Sequence, residues 1–440
     1  MTSYPKVPSS SFLKGHIDNV QKDAYGFFLN SHRQYGDALK LNAYNVMPLY
    51  SFTHPEAMQH ILVKERNKFS HGKRWEDAIR IAGGDGMIVM RGQKWKERRQ
   101  LLLPFFQTRR MESYVNTITE STLSLLREHN EKGTYTVNIF EVMERLAFYN
   151  IGHLLFGYNL QSEPDSIRLA MKHCFNTASK FMQYPLSVPL CIPTKDNRFF
   201  HKQLQIVDDL AYRIIEHARN EDADNMINEL IASDGINDRE IRDEVITTML
   251  GGYETISTGL TWFWYLMAQN PDVARDIQDE LKSVLSGDMP SLESMKKLDY
   301  TKMALSEALR LYPAVWGVSR YAEEADNVLG HGVKKGGQIV LPFFVTHRDP
   351  DFWEKPDEFF PEHFNEQATS KRSKHAYIPF GSGERVCIGR QLGWMEMMLI
   401  ISVVLQYATP TQIVKGKDVK PQALFTLRPD RDIILVFEKA

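Results

Sequence analysis

The stretch FGSGERVCIG, Phe380–Gly389, places a cysteine inside a glycine-rich turn near the C-terminal end of the sequence. Gly381, Gly383 and Gly389 bracket Cys387 and allow backbone conformations and close approaches that a Cβ blocks. The run that follows, IGRQLGWMEMMLIISVVLQ, reads as a buried helix, so Cys387 is expected just before or at a helix N-terminus. Unpaired N–H groups and the positive end of the helix dipole favour a thiolate there. A thiolate presented in this way is a nucleophile or a metal ligand.

The totals bound what such a thiolate serves. With 43% hydrophobic, 25% charged and 11% aromatic residues among 440, the chain has ample apolar material for a core, and disorder is not expected. A formal net charge of −2 exerts no long-range pull on nucleic acid or an anionic membrane, and no nucleic-acid partner is expected. Three cysteines, Cys174, Cys191 and Cys387, make no disulfide framework and suit a reducing compartment, so a cytoplasmic location is expected. MTSYPKVPSSSFLKGH lacks the basic and apolar runs of a signal peptide, and no stretch of about 20 apolar residues encodes a membrane span.

No repeat, low-complexity tract or long linker divides the sequence, so residues 1–440 are read as one domain. Short strands are expected in a β-rich portion over roughly 35–65, a helical core over roughly 66–410, and a β-hairpin over roughly 420–438, in ALFTLRPDRDIILVFEK. The fold class is mostly α with minor β. The longest helix starts at NDRE, where Asn237 is a cap and Glu240 completes a capping box, and stops before Pro271. That is about 30 residues, or ~45 Å at 1.5 Å per residue. Its middle, GGYETIST, sets Gly251 beside Gly252, each costing about 1 kcal/mol against alanine. Two helices meeting at a hinge explain this, and so does one helix notched so that a flat group lies against its backbone.

For Cys387 as a nucleophile, none of the 14 histidines stands in a motif that supplies a base. Zinc needs further ligands at fixed spacing, which Cys174 and Cys191 do not provide. Haem iron needs one axial thiolate from the protein, so a solitary cysteine suffices.

FGSGERVCIG resembles the haem-binding signature of the cytochrome P450 monooxygenases, and further motifs follow in that family's order from YGDALKL to the C-terminal strands. The resemblance implies a single large helical domain with small β-sheets, carrying haem b on the Cys387 thiolate with O2 as co-substrate. In WKERR it implies that Trp95 and Arg99 donate to a haem propionate; Arg320 and Arg385 resemble the remaining propionate partners. Phe380 is similar to the aromatic residue that shields the sulfur, with Gly381 and Gly389 beside it. In GGYETIS the resemblance implies that Glu254 and Thr255 relay protons while Gly251 and Gly252 let the haem face approach; Ile256 stands where threonine is common. In EALRLYP it implies a buried Glu307–Arg310 pair that holds the cysteine loop, joined by a basic residue of FFPEHF, where His363 replaces the usual arginine. A triad containing histidine is expected to be the more pH-sensitive.

The implied activity is insertion of one oxygen atom of O2 into a C–H or C=C bond of a lipophilic small molecule: a fatty acid, terpenoid, polyketide or similar intermediate. Apolar walls are expected from Leu250, Ala314, Val315, Leu424 and Phe425, and from RIAGGDGMIVM and FMQYPLSVPLCIP. No fused reductase is expected, so electrons come from a ferredoxin or flavodoxin type donor with its reductase, docking at Lys94, Lys96, Arg98 and Arg390. A monomer is expected. A peroxide-driven haem-thiolate peroxygenase and a haem-binding sensor without turnover are the alternatives, and the Glu254–Thr255 pair argues against both.

Overall fold

Strand Ala38–Ala43 buries Leu39 and Leu41 and exposes Lys40 and Asn42, the alternation of an edge strand with one covered face. It pairs antiparallel with Met47–Phe52, which runs parallel to Gln338–Leu341; Val318–Ala322 and Phe69–Ser70 complete a five-stranded sheet. The computed structural model describes residues 4, 7, 15–43, 47–129, 133–183 and 188–440. Positions 184–187 of the expected pocket wall FMQYPLSVPLCIP lie outside the described residues, as do most of the first fourteen positions.

Internal packing divides the chain into two compact units. The first comprises Met1–Glu76, Met303–Cys387 and Lys420–Asp430; the second comprises Asp77–Lys302, Ile388–Val419 and Arg431–Ala440. Two crossings between them fall inside helices, Lys73–Gly83 and Asp299–Leu311, where no change of composition marks a boundary, so a search for linkers finds one domain. In the first unit Tyr50, Phe52, Ile339, Leu341 and Phe343 form a core beneath the sheet, each at most 1% exposed.

The second unit is helical. Its longest element, Asp238–Gln269, runs unbroken for 32 residues through Gly251 and Gly252, which excludes two helices meeting at a hinge. Apolar residues lie all round it, with Trp262, Phe263 and Trp264 fully buried, as expected of a helix crossing a core. The Asn237 side chain accepts the Glu240 N–H at 3.0 Å. The capping box is not completed, because the Glu240 carboxylate turns instead to Lys94 and Arg98.

The expected hairpin over 420–438 is two separate structures. Pro421–Ala423 pairs with Leu427–Pro429 in the first unit, whereas Ile434–Lys439 lies between Thr134–Asn138 and Ala408–Lys415 in a three-stranded sheet of the second. Alternation identifies a strand but not its neighbour, and Ile434–Lys439 is a central strand, one of whose partners, Thr134–Asn138, lies far away in sequence.

Candidate functional site

In the first unit the cysteine loop is closed by its own backbone. Gly381 N–H donates to the Ile378 carbonyl at 2.9 Å, Val386 N–H to Gly383 at 3.1 Å, and Cys387 N–H to Phe380 at 3.0 Å. Gly381 and Gly383 both have φ of 74°, in the left-handed region that favours glycine. A Cβ on Gly383 would lie 2.0 Å from the Leu62 carbonyl oxygen, while the space beside Gly381 is open. Gly389 differs from expectation: as the N-cap of helix Arg390–Tyr407 it has φ of −83°, which any residue adopts. The Cys387 side chain is exposed, a short step before that helix.

The loop is anchored through a buried chain of polar contacts. The Arg310 guanidinium grips both oxygens of Glu307 at 2.7 Å, and neither side chain has any exposure. Arg310 also donates to the carbonyls of His347 and Pro356 at 2.7 Å and of Glu358 at 2.9 Å. His347 carries the connection onward. Burial pushes its imidazole down to about 3, so it is neutral, with Nδ1–H donating to the Arg310 carbonyl at 3.2 Å and Nε2 accepting the Ile378 N–H at 3.0 Å. Ile378 is the residue whose carbonyl holds Gly381.

His363 joins Glu307 as expected, with Nδ1 at 3.1 Å from Oε1. A carboxylate only accepts, so Nδ1 carries the proton, and Nε2 is left to accept the Lys355 N–H at 3.4 Å. Burial raises the Glu307 carboxyl, but the Arg310 and His363 contacts outweigh it and hold it below the usual carboxylate range.

Arg320, in strand Val318–Ala322, is buried, and that burial together with the nearby Arg385 guanidinium pulls it down to about 10. A buried guanidinium with a second, half-buried one near enough to depress it fits a ligand carrying carboxylates. Beside the exposed thiol and the open face of Gly381, they make this loop a fit for haem. Of the expected walls in this unit, Ala314 and Val315 are half-buried, as are Leu424 and Phe425. The structure joins the two segments: the Leu427 N–H donates to the Ala314 carbonyl at 2.8 Å, and the Trp316 indole N–H to the Leu424 carbonyl at 2.8 Å.

In the second unit, the open face of the long helix is Gly251, with nothing near a Cβ built there. Gly252 turns elsewhere. Its Cβ would lie 1.9 Å from Ile151 Cδ1, so this glycine serves packing against helix Ile139–Ile151 rather than a ligand face. Ile256, which replaces the common threonine, is buried and reaches to Gly393 of helix Arg390–Tyr407. Glu254 and Leu250 are buried; Thr255 is half-exposed, its hydroxyl donating to the Gly251 carbonyl at 2.7 Å. Adjacent helix positions point about 100° apart, so Glu254 and Thr255 leave the helix in different directions.

On helix Gly92–Leu102 the Arg99 guanidinium carbon lies 5.7 Å from the centre of the Trp95 ring, so the two share a face. Arg98 departs from expectation. It is 4% exposed and donates to Glu244 at 2.8 Å, so it is tied into the core and not part of a docking surface. Lys94 is exposed but paired with Glu240, and Lys96 and Arg390 are exposed as well.

Sequence reading missed His347, Trp353 and Arg372 around the Glu307 cluster. The partners of His347 lie 37 and 31 residues away, so no short motif marks it.

The family description "Cytochrome P450" matches residues 5–436. The putative cytochrome P450 132 of Mycobacterium tuberculosis is 27% identical over 409 residues, covering 88% of this chain and 87% of that protein. Cyclooctatin synthase of Streptomyces melanosporofaciens is 28% identical, covering 86% and 83%. Pentalenene oxygenase of Streptomyces avermitilis is 27% identical, covering 93% and 91%.

Proposed function

Because the chain belongs to the cytochrome P450 family of haem-thiolate monooxygenases, we propose that it places one atom of O2 into a C–H or C=C bond of a terpenoid or related lipophilic natural-product intermediate. The observation that carries this is the loop of Phe380–Gly389: an exposed thiol on a glycine-shaped turn, with the buried Arg320 and its neighbour Arg385 in the same unit. The substrate class is supported by two relatives named for the terpenoids cyclooctatin and pentalenene, and by apolar side chains at the expected walls.

Haem b, when bound, supplies the activation of O2. The Cys387 sulfur would hold its iron, with Phe380 and Gly381 beside it. Arg320, Arg385 and Arg99 would neutralise its propionates, and the Trp95 indole N–H would donate a hydrogen bond to one. Thr255 Oγ1, which donates to the Gly251 carbonyl at 2.7 Å, and the buried Glu254 carboxyl would each hold and deliver protons for the reduction of O2. The second oxygen atom would leave as water. Electrons come from a separate ferredoxin or flavodoxin type donor, met in part by Lys96 and Arg390.

Thr255→Ala is expected to retain haem while diverting electrons to peroxide, measured as peroxide formed per electron pair consumed; fully coupled turnover contradicts the relay. For the substrate, cyclic terpene hydrocarbons are expected to shift the resting haem absorption of the purified protein. A panel in which only fatty acids shift it contradicts the terpenoid assignment.

A further inference from the structure

The buried carboxylate of Glu307 has four donors: two from Arg310, the Phe360 N–H at 2.9 Å, and His363 Nδ1 at 3.1 Å. Among them only Arg310 is a permanent cation, and His363 offers its second nitrogen to the Lys355 N–H at 3.4 Å. A protonated His363 would point an N–H at the Lys355 N–H. The imidazole therefore contributes a hydrogen bond where a guanidinium would contribute a bond and a cation.

A second cation is nevertheless built in. The Arg372 guanidinium carbon sits 3.9 Å from the centre of the Trp353 ring and 5.1 Å from that of Phe364. Its Nη1 donates to the His363 carbonyl at 2.9 Å. Trp353 is buried, and Arg310 lies over the same ring at 4.8 Å. Burial pulls Arg372 down to about 10, and the Glu307 carboxylate works against that fall while Arg310 adds to it. Arg372 thus feels both members of the pair, with its plane fixed by Trp353 and its tip tied to the backbone of His363.

We propose that Arg372 is a positioning residue supplying the second permanent positive charge of the Glu307–Arg310 cluster, where His363 stands in place of a guanidinium. It acts at longer range than Arg310, on the carboxylate by its field and on His363 by its bond. Through Arg310, His347 and Ile378 the cluster sets the loop of Cys387.

The haem readout of this proposal rests on the haem-thiolate reading, and the test has a second readout that does not. Four proteins are compared: wild type, Arg372→Gln, His363→Arg, and the double variant. The first readout is the rate at which the thiolate-type absorption of the reduced carbon monoxide complex is lost in mild urea; the second is the urea midpoint of the apoproteins. Arg372→Gln is expected to lose the signature about tenfold faster, the factor equivalent to about 1.4 kcal/mol. His363→Arg is expected to gain nothing in wild type, where two guanidiniums already serve one carboxylate, and to restore the signature and the midpoint in the Arg372→Gln background. An Arg372→Gln protein matching wild type overturns the proposal. So does loss without rescue by His363→Arg, which would mean that Arg372 only packs on Trp353, and so does equal gain from His363→Arg in both backgrounds. If wild type itself lacks the thiolate signature, the haem reading fails, and the apoprotein midpoints still decide on Arg372.

Discussion

At the scale of single residues, burial decides which carboxyls stay charged. Glu307 is dry but held by Arg310, His363 and a backbone N–H, and it remains a carboxylate. Glu396, equally buried in helix Arg390–Tyr407, has an amide instead of a cation: Asn150 Nδ2 donates to it at 2.8 Å, and Ser121 donates to Asn150 at 2.6 Å. Burial therefore pushes Glu396 up from 4.5 to about 7. A carboxyl raised in the fold stabilises below its unfolded value, and that contribution is lost as pH rises through the folded one. Glu396→Gln keeps the neutral shape at every pH. Its urea stability relative to wild type is expected to improve by about 2–3 kcal/mol between pH 5 and pH 8. Parallel stability curves for the two proteins would show that Glu396 does not hold its proton.

At the scale of elements, the long helix shows how far sequence reached. Its start at Asn237, its stop before Pro271 and the glycine pair were all legible, because caps, proline and glycine act within a few residues of themselves. The division of labour between the glycines was not legible, because it depends on a neighbouring helix that sequence does not place. A Cβ at position 251 meets nothing and at position 252 meets Ile151. Gly251→Ala is expected to stabilise the apoprotein by up to about 1 kcal/mol through helix propensity. Gly252→Val is expected to destabilise it by about 2 kcal/mol through overpacking. Thermal unfolding of the two apoproteins checks this, and changes of the same sign would contradict the packing. The cysteine loop was legible for the same local reason, since Gly381 and Gly383 take left-handed conformations demanded by the turn itself. Arg98 was misread because its partner Glu244 lies on a different helix, and no local pattern tells a buried arginine from a solvated one.

At the scale of the whole molecule, four buried groups shape the response to acid. Burial lowers His32 to about 4 and His347 to about 3, and raises Glu244 and Glu396 to about 7. Between about pH 4.5 and 6.5 the unfolded chain binds protons on both histidines and the folded protein on both glutamates, so these groups leave stability flat. Below about 4.5 the unfolded glutamates protonate as well, and stability falls by about 2.7 kcal/mol per pH unit for two protons. Urea melts from pH 4 to pH 6.5 are expected to show this plateau and its acid edge; a steady slope across the range contradicts it. Trp264 and Phe437, 5.8 Å apart, show why the partners of the final strand escaped prediction: its place is set by a helix well over a hundred residues earlier. The reach of the whole account rests on the sulfur of Cys387. The most direct measurement is the absorption of the reduced, haem-supplied protein under carbon monoxide, for wild type and for Cys387→Ser. A thiolate-type band in wild type that vanishes in a folded Cys387→Ser protein is the predicted result. Its absence from wild type, or its survival in the variant, contradicts the account.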